Sequence, residues 1–151
     1  MEPVETPDTF IVNVEVAVVR DRCYLAIVRG RAEAIGAGWL GFPGGKVEIG
    51  EADQHTLEET ARREVLEEVG LRVDEPIVYV ESHTFAVDNV PVLDVVMLAR
   101  SSTGDAFPAA PDEVAGIGWL TYEAFVSDPR TQAWTRESLR LVEVQRLELN
   151  W

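Results

Sequence analysis

Residues 39–71 read WLGFPGGKVEIGEADQHTLEETARREVLEEVGL, and this stretch decides the fold and the function that we predict. Its first third is a glycine-rich turn, and its last third predicts a helix crowded with glutamates. At roughly 100° per residue, Glu64, Glu67 and Glu68 share one arc of that helix. Their charges repel one another, and a divalent cation would relieve the repulsion because hard cations bind carboxylate oxygens. A solvated acidic surface is the alternative interpretation.

Two neighbouring features favour a metal site. Gly44 and Gly45 allow the backbone to approach a ligand closely, so a carbonyl oxygen there could complete a metal shell begun by Glu67 and Glu68. Arg63 lies four residues before Glu67, where its guanidinium could hold a carboxylate in a fixed orientation. Taken singly, the glycines also fit a plain turn and the arginine a weak surface ion pair.

The composition limits the classes of function. The 151 residues suggest one domain, 1–151, with a flexible leader at 1–8 and a C-terminal helix at 130–151. The formal net charge of −14 argues against a general binder of nucleic acid or of anionic membranes. An anionic small substrate is still compatible with an acidic site if metal ions lie between the two sets of charge.

Nothing in the sequence indicates export or membrane insertion. The N-terminus, MEPVETPDTF, is acidic and interrupted by prolines, unlike a signal peptide, and no apolar run reaches membrane-spanning length. Cys23, the single cysteine, stands in an apolar run and is interpreted as a buried structural thiol. We therefore expect a cytoplasmic protein that does not bind membranes.

Hydrophobic periodicity predicts strands on both sides of one central helix. In that helix Thr56 is the expected N-cap, with Glu59 completing a capping box, and Gly70 is the expected terminator. Ala61 and Val65 belong to its core stripe, together with Val69. The predicted strands are Phe10–Arg20, Cys23–Val28, Trp39–Phe42, Pro76–Val80, Ser82–Val87, Val92–Arg100 and Val114–Leu120. Turns are expected at Asp21-Arg22 and Asp88-Asn89, with a strong break at Pro43-Gly44-Gly45.

Helices follow the last strand. Thr121 can cap a short helix, and Arg130–Leu149 predicts an amphipathic one with Trp134, Leu139, Val142 and Leu147 on its apolar side. Strands, one helix, strands and then helices indicate an α+β fold, an α/β/α sandwich with a mixed sheet. The C-terminal helix, with Trp134 and Trp151, could also support a homodimer.

The residues Gly45-x5-Glu51 … Arg63-Glu64-Val65-x-Glu67-Glu68-x-Gly70-Leu71 resemble the Nudix box of the Nudix hydrolases. The motif is long and its spacing restrictive, and the order of strands and helices around it also resembles the family's sandwich fold. The interval from Glu51 to Arg63 is longer than usual by about four residues, as expected for an insertion at Ala52–His55 in a surface loop. Glu51 could therefore be displaced, or replaced by Asp53.

The resemblance implies a mechanism in which Mg²⁺ or Mn²⁺ and water cleave a diphosphate linkage. Glu67 and Glu68 would bind metal with the Gly44 carbonyl, and Glu64 would be a metal ligand or the general base. Arg63 would orient Glu64 or Glu67. A further carboxylate often comes from a later loop in this family. Glu113 is the candidate for it, with a surface glutamate as the alternative.

The substrate is less defined. Trp39 to Glu48 resembles the preamble of the MutT type, which acts on nucleoside triphosphates. Candidate substrate contacts are Arg29 and Arg31 for phosphates, Phe42 or Phe85 for a base, and Lys46. The prediction is a pyrophosphohydrolase of a nucleoside triphosphate or of a nucleoside diphosphate linked to another moiety. The alternatives are an ADP-ribose or nucleotide-sugar pyrophosphatase and a non-catalytic nucleotide-binding module.

Two other kinds of site are not expected. The family's isomerase branch needs a catalytic cysteine, and Cys23 does not fit that role because it lies in a predicted strand before the box. His55 and His83 do not suggest a zinc site.

Overall fold

The structure is a computed structural model that describes residues 8–50 and 53–151. The elements in chain order are β1 (Ile11–Arg20), β2 (Cys23–Arg29), β3 (Leu40–Gly41), β4 (Gly44–Lys46), α1 (Thr56–Val69), β5 (Val78–Val87), β6 (Val90–Arg100), β7 (Val114–Leu120), α2 (Tyr122–Ser127) and α3 (Ala133–Leu149). Within the described residues, the strands form one seven-stranded sheet in the order β3-β2-β1-β6-β5, with β4 paired to β1 and β7 to β2.

The sheet is mixed because β1 and β6 run parallel while the other pairs are antiparallel. Side chains of β1 alternate between the two faces, as in any strand. Val14 and Val16 pack in a core cluster with Val65 of α1, whereas Val19 packs in a second cluster with Phe125 of α2. Helices therefore cover both faces, and the predicted α+β class with a mixed sheet is confirmed.

The central helix has the predicted core stripe and the predicted end. Ala61, Val65 and Val69 are fully buried, and Leu66 at the edge of the stripe is 40% exposed. Gly70 has a φ of 71° and donates its N–H to the Leu66 carbonyl, a left-handed ending that glycine adopts without strain.

The beginning of α1 differs from the prediction. His55 is the N-cap, at a φ of 55°, and makes no side-chain capping bond, while Thr56 is the first helical residue. The His55 carbonyl accepts the Glu59 N–H at 2.9 Å. The helix thus starts one residue earlier than a Thr56 capping box would allow. The predicted leader, Asp8 apart, and the insertion residue Ala52 lie outside the described residues, as does Glu51.

Two strand predictions need correction. Gly44 and Gly45 do not end the extended chain, because they form β4 with Lys46 against β1. The two strands predicted on either side of Glu81 are one strand, β5, whose pairing with β6 is irregular between Tyr79 and Glu81. Local composition does not reveal either feature, since each is stabilised by pairing with another strand.

Other turns and caps agree with the prediction. Asp21-Arg22 and Asp88-Asn89 are two-residue turns with positive φ throughout, as tight hairpins require. The Thr121 hydroxyl accepts the Ala124 N–H at 3.2 Å and caps α2. Cys23, by contrast, is only partly buried at the first position of β2.

The C-terminal helix is present but begins at Ala133 rather than Arg130. Leu139 and Val142 are buried as predicted, whereas Trp134 is 53% exposed and Leu147 is 63% exposed. Trp134 packs edge-on against Trp39, with ring centroids 5.6 Å apart, rather than entering the core. Among the described residues, no helix is both long and apolar enough to cross a membrane.

Because Val65 is buried and its neighbour Leu66 is half exposed, the two form a matched pair for stability. Val65→Ala is expected to lower the free energy of unfolding by about 2 kcal/mol, since it leaves a cavity in the core. Leu66→Ala is expected to cost less than about 1 kcal/mol. Urea denaturation monitored by circular dichroism measures both, and equal losses would contradict the assigned packing of α1.

Candidate active site

The three glutamates of α1 occupy two environments. Glu64 and Glu68 lie one turn apart and are buried, whereas the side chain of Glu67 is 57% exposed. At 3.6 residues per turn, Glu64 and Glu68 point in nearly the same direction, while Glu67 is rotated toward solvent. Glu64 and Glu68 therefore form the buried part of the acidic arc, and Glu67 lies at its rim.

Strand β4 lies directly against this buried pair. A Cβ atom at Gly45 would overlap the carboxyl group of Glu64, so a larger residue would displace that carboxyl group from its present position. Gly44 donates its N–H to Oε2 of Glu68 at 3.4 Å, a long hydrogen bond. The two glycines thus bring the backbone against the carboxyl groups of Glu64 and Glu68.

The register of β4 determines where the Gly44 carbonyl points. Val16 donates its N–H to Pro43, and Val47 donates its N–H to Val12. In an antiparallel ladder, hydrogen-bonded and non-hydrogen-bonded positions alternate. Pro43 is hydrogen-bonded to β1, so the next residue, Gly44, is not, and its N–H and carbonyl groups both point away from β1. The hydrogen bond from Gly44 to Glu68 lies on that side. The carbonyl that we predict as a metal ligand is therefore directed away from the ladder.

Arg63 links the helix to β4. Its Nη1 donates to Glu64 Oε1 at 2.7 Å and to Glu67 Oε2 at 3.2 Å, and its Nη2 donates to the Lys46 carbonyl at 2.8 Å. Glu48 Oε1 is also within 3.7 Å of Nη1. The guanidinium contacts both glutamates that the sequence analysis considers for it, so it restricts the orientation of each.

Burial and mutual repulsion change the acidity of the pair. Burial raises the pKa of Glu64, and the charge and hydrogen bond of Arg63 oppose that rise. The pKa of Glu68 is raised to about 8, first by burial and then by the charge of Glu64, against the hydrogen bond from Gly44. Without a cation, the Glu68 carboxyl therefore holds its proton at neutral pH.

The donor chemistry of this site fits Mg²⁺ or Mn²⁺. The groups brought together are carboxylates and a backbone carbonyl, with no thiolate or imidazole, and such oxygen donors suit hard cations. Among the described residues, no three His, Cys, Asp or Glu side chains already form a group that could hold a metal ion. Mg²⁺ commonly takes only one or two carboxylates and keeps several waters or phosphate oxygens, so the pair fits that mode.

Glu113 lies on the turn that precedes β7. Its charge contributes to the raised pKa of both Glu64 and Glu68, so it is near enough to act on the pair. Glu33, which the sequence analysis does not identify, adds to the raised pKa of Glu68 in the same way. Glu33 also accepts from Arg29 Nη2 at 3.1 Å. No local motif distinguishes Glu33, since it approaches the helix only through the tertiary fold.

The candidate substrate contacts are dispersed. Phe42 is 4% exposed and packs against Phe125, with ring centroids 5.5 Å apart, so the expectation that it faces a base is corrected. Arg29 is held by Glu33 and the Ile35 carbonyl, while Arg31 is exposed. Lys46, the last residue of β4, is exposed, and its backbone carbonyl accepts from Arg63.

The other residues predicted for the site are Phe85, Asp53 and Glu51. Phe85 is 45% exposed on β5 and contacts His83, with ring centroids 6.2 Å apart. Asp53 is exposed in the turn before α1. Glu51 falls outside the described residues, so its role stays a prediction.

Comparison with known proteins agrees with this geometry. The NUDIX domain family model matches residues 9–142, and the chain belongs to that family. It is a Nudix hydrolase, a class of enzymes that act on pyrophosphate bonds. No curated protein matches the sequence.

Solved structures show the same fold. The MutT NUDIX hydrolase from Burkholderia pseudomallei is 28% identical with a TM-score of 0.74, over 89% of this chain and 98% of that one. The MutT protein from Methanosarcina mazei Go1 is 20% identical with a TM-score of 0.76, over 94% and 99%. The NUDIX domain of Shewanella oneidensis NrtR, solved with ADP ribose, is 19% identical with a TM-score of 0.68, over 93% and 89%.

The raised pKa of Glu68 predicts a pH dependence of stability in metal-free protein. Between about pH 5 and pH 8 the folded state keeps a proton that an unfolded glutamate has released, so the free energy of unfolding falls as pH rises. One such group gives a slope of up to about 1.4 kcal/mol per pH unit. Glu68→Gln is expected to reduce the slope, as measured by urea denaturation in a chelator.

Glu67→Gln is the matched control, because this neighbouring side chain is largely exposed. It is expected to keep the wild-type slope. The assigned burial of the Glu68 carboxyl would be contradicted if wild type and Glu68→Gln lost stability equally across this pH range.

Proposed function

We propose that this protein is a metal-dependent pyrophosphohydrolase of a nucleoside triphosphate or of a nucleoside diphosphate linked to another moiety. The observation that carries the proposal is the pair of buried carboxyl groups of Glu64 and Glu68 against Gly44 and Gly45. Burying two like charges costs free energy, and a divalent cation would turn this repulsion into attraction. The NUDIX family membership supports the same reaction class.

Each residue of the site has a role in this proposal. Glu68, Glu67 and the Gly44 carbonyl would hold Mg²⁺ or Mn²⁺, with Glu64 as a further ligand or as the general base and Glu113 approaching from its turn. When bound, the cation neutralises phosphate charge and lowers the pKa of the attacking water. Arg63 keeps the carboxylates of Glu64 and Glu67 oriented from one side of the helix.

The hydrogen bonding of Glu64 limits how it could accept a proton. Arg63 donates to Oε1, so that oxygen is already engaged. Oε2 is therefore the atom at which Glu64 would take the proton of the attacking water. In the same arrangement, the positive charge of Arg63 favours the ionised form of Glu64, which is the form that a general base requires.

A substrate panel tests the reaction most directly. Nucleoside triphosphates, ADP-ribose and nucleotide sugars are each incubated with Mg²⁺ or Mn²⁺, and release of phosphate is compared with release of pyrophosphate. ADP-ribose belongs in the panel because the structurally similar NrtR domain was solved with it. Tight nucleotide binding in calorimetry without any product would instead favour a non-catalytic binding module.

Glu67→Gln and Glu68→Gln are expected to lower kcat by roughly a hundredfold or more, because each removes a carboxylate that we assign to the cation. Glu58→Gln, on the first turn of the same helix, is the control and is expected to leave kcat unchanged. The measurement is steady-state hydrolysis of the best substrate, with circular dichroism to verify folding. Wild-type rates in both site variants across the panel would refute the assignment.

A further inference from the structure

Trp39 and Trp134 form an aromatic pair at the beginning of α3. Their ring centroids are 5.6 Å apart and the ring planes are inclined by 65°, so the two rings meet edge-on. Trp39, just before β3, is half-buried, whereas Trp134, the second residue of α3, is 53% exposed. The pair therefore presents the Trp134 indole to solvent, with Trp39 supporting it from one side.

Main-chain contacts fix the position of Trp39. The next residue, Leu40, donates its N–H to the Arg130 carbonyl at 3.1 Å, which joins β3 to the segment that leads into α3. A Cβ atom at Gly36 would overlap the Trp39 ring, so the backbone of the preceding loop packs directly against that ring. The support for the exposed indole is therefore held by backbone on both sides rather than by flexible side chains.

The aromatic pair lies within reach of the carboxylate site. Gly44, whose N–H contacts Glu68, follows Trp39 by only five positions in the chain. Five residues span at most about 18 Å even when fully extended, so the Cα atoms of Trp39 and Gly44 are no further apart than that. An extended nucleoside diphosphate is of comparable length, so its base could contact the pair while its phosphates lie at the glutamates.

The surroundings of the pair favour a flat, uncharged ring as the group that covers it. The guanidinium of Arg130 is paired with the Asp128 carboxylate at 3.0 Å, and Arg136 donates to the Val126 carbonyl at 2.9 Å. Because both cations beside Trp134 are already engaged, the surface offers an indole rather than a phosphate-binding group. A second copy of the chain is a poor occupant, since the net charge of −14 on each copy opposes self-association.

We infer that Trp134, supported edge-on by Trp39, is a stacking residue for the base of the nucleotide substrate. The inference rests on the proposed function, because it concerns the base of the same substrate. Aromatic side chains stack on any nucleobase, so this contact selects for the presence of a base rather than for its identity. Trp134 takes no part in bond cleavage, and its loss therefore raises KM while kcat is retained.

Binding of nucleoside monophosphates tests the inference separately from catalysis, because these ligands lack the diphosphate linkage. Calorimetry in Mg²⁺ compares AMP and UMP with ribose 5-phosphate, which has no base. Wild type is expected to bind both monophosphates roughly tenfold more tightly than ribose 5-phosphate. Trp134→Ala is expected to abolish this difference, whereas Trp134→Phe, which keeps an aromatic face, is expected to retain most of it. If Trp134→Ala does not fold, Trp134→Leu replaces it.

Leu147→Ala is the matched control, because Leu147 is a 63% exposed apolar residue near the other end of the same helix. It is expected to bind all three ligands as wild type does. Phe85→Ala tests the other exposed aromatic residue considered for a base, which is 45% exposed on β5, and is expected to keep the preference for a base. Circular dichroism verifies folding, and light scattering gives the oligomeric state of each variant.

Three results would overturn the inference. Equal binding of the monophosphates and ribose 5-phosphate by wild type would show that no base is held. An unchanged preference in folded Trp134→Ala, or its loss in Phe85→Ala alone, would place the base elsewhere. Conversion of a dimer to a monomer by Trp134→Ala, with AMP binding unchanged, would show that a second copy covers the pair. A Trp134-dependent preference without hydrolysis of any substrate in the panel would instead refute the proposed function and leave the stacking contact in place.

Discussion

Two carboxyl groups, those of Glu64 and Glu68, are buried one helical turn apart, and this arrangement constrains everything around them. Buried like charges are unfavourable unless one is neutralised or a cation is present. Because the pKa of Glu68 is raised to about 8, its carboxyl group is neutral at pH 7 when no metal is bound. The apolar packing of Val65 and Val69 holds the helix on the sheet and offsets the free-energy cost of burying the two carboxyl groups.

The surrounding backbone is arranged to admit these carboxyl groups. Gly45 leaves space for Glu64, and Gly44 offers Glu68 a weak hydrogen bond, so neither group is completely without polar contact. Arg63 joins Glu64 to the carbonyl of Lys46 and thereby ties α1 to β4. These contacts restrict the two carboxyl groups, which would reduce the free-energy cost of ordering them if a cation binds.

The local part of this arrangement can be predicted from the sequence. Apolar spacing defines the core stripe of α1, Gly70 ends the helix, and the box motif identifies Arg63 with its glutamates. These features depend on residues within a few turns of one another. The predicted starting residue of the helix is wrong by one position, because the cap depends on the path of the loop before His55.

What the sequence does not predict depends on contacts between distant segments. Gly44–Lys46 becomes a strand because β1 lies beside it. Phe42, just before this strand, is buried in the core. Glu15 of β1 belongs to this group, because its surroundings come from other strands. Burial and a hydrogen bond with Asp94 raise its pKa well above the ordinary value. Glu33 likewise approaches α1 only through the folding of its loop.

Proton release on metal binding tests the central claim most directly. A cation that binds Glu68 must displace the proton which that carboxyl holds near neutral pH. Calorimetric titration with Mn²⁺ at pH 7, repeated in buffers of different ionisation enthalpy, counts the protons released. The structure predicts about one proton per binding event at pH 7, and a loss of that release in Glu68→Gln. Binding without proton release, or the same release in Glu68→Gln, would contradict the assignment of Glu68 to the cation.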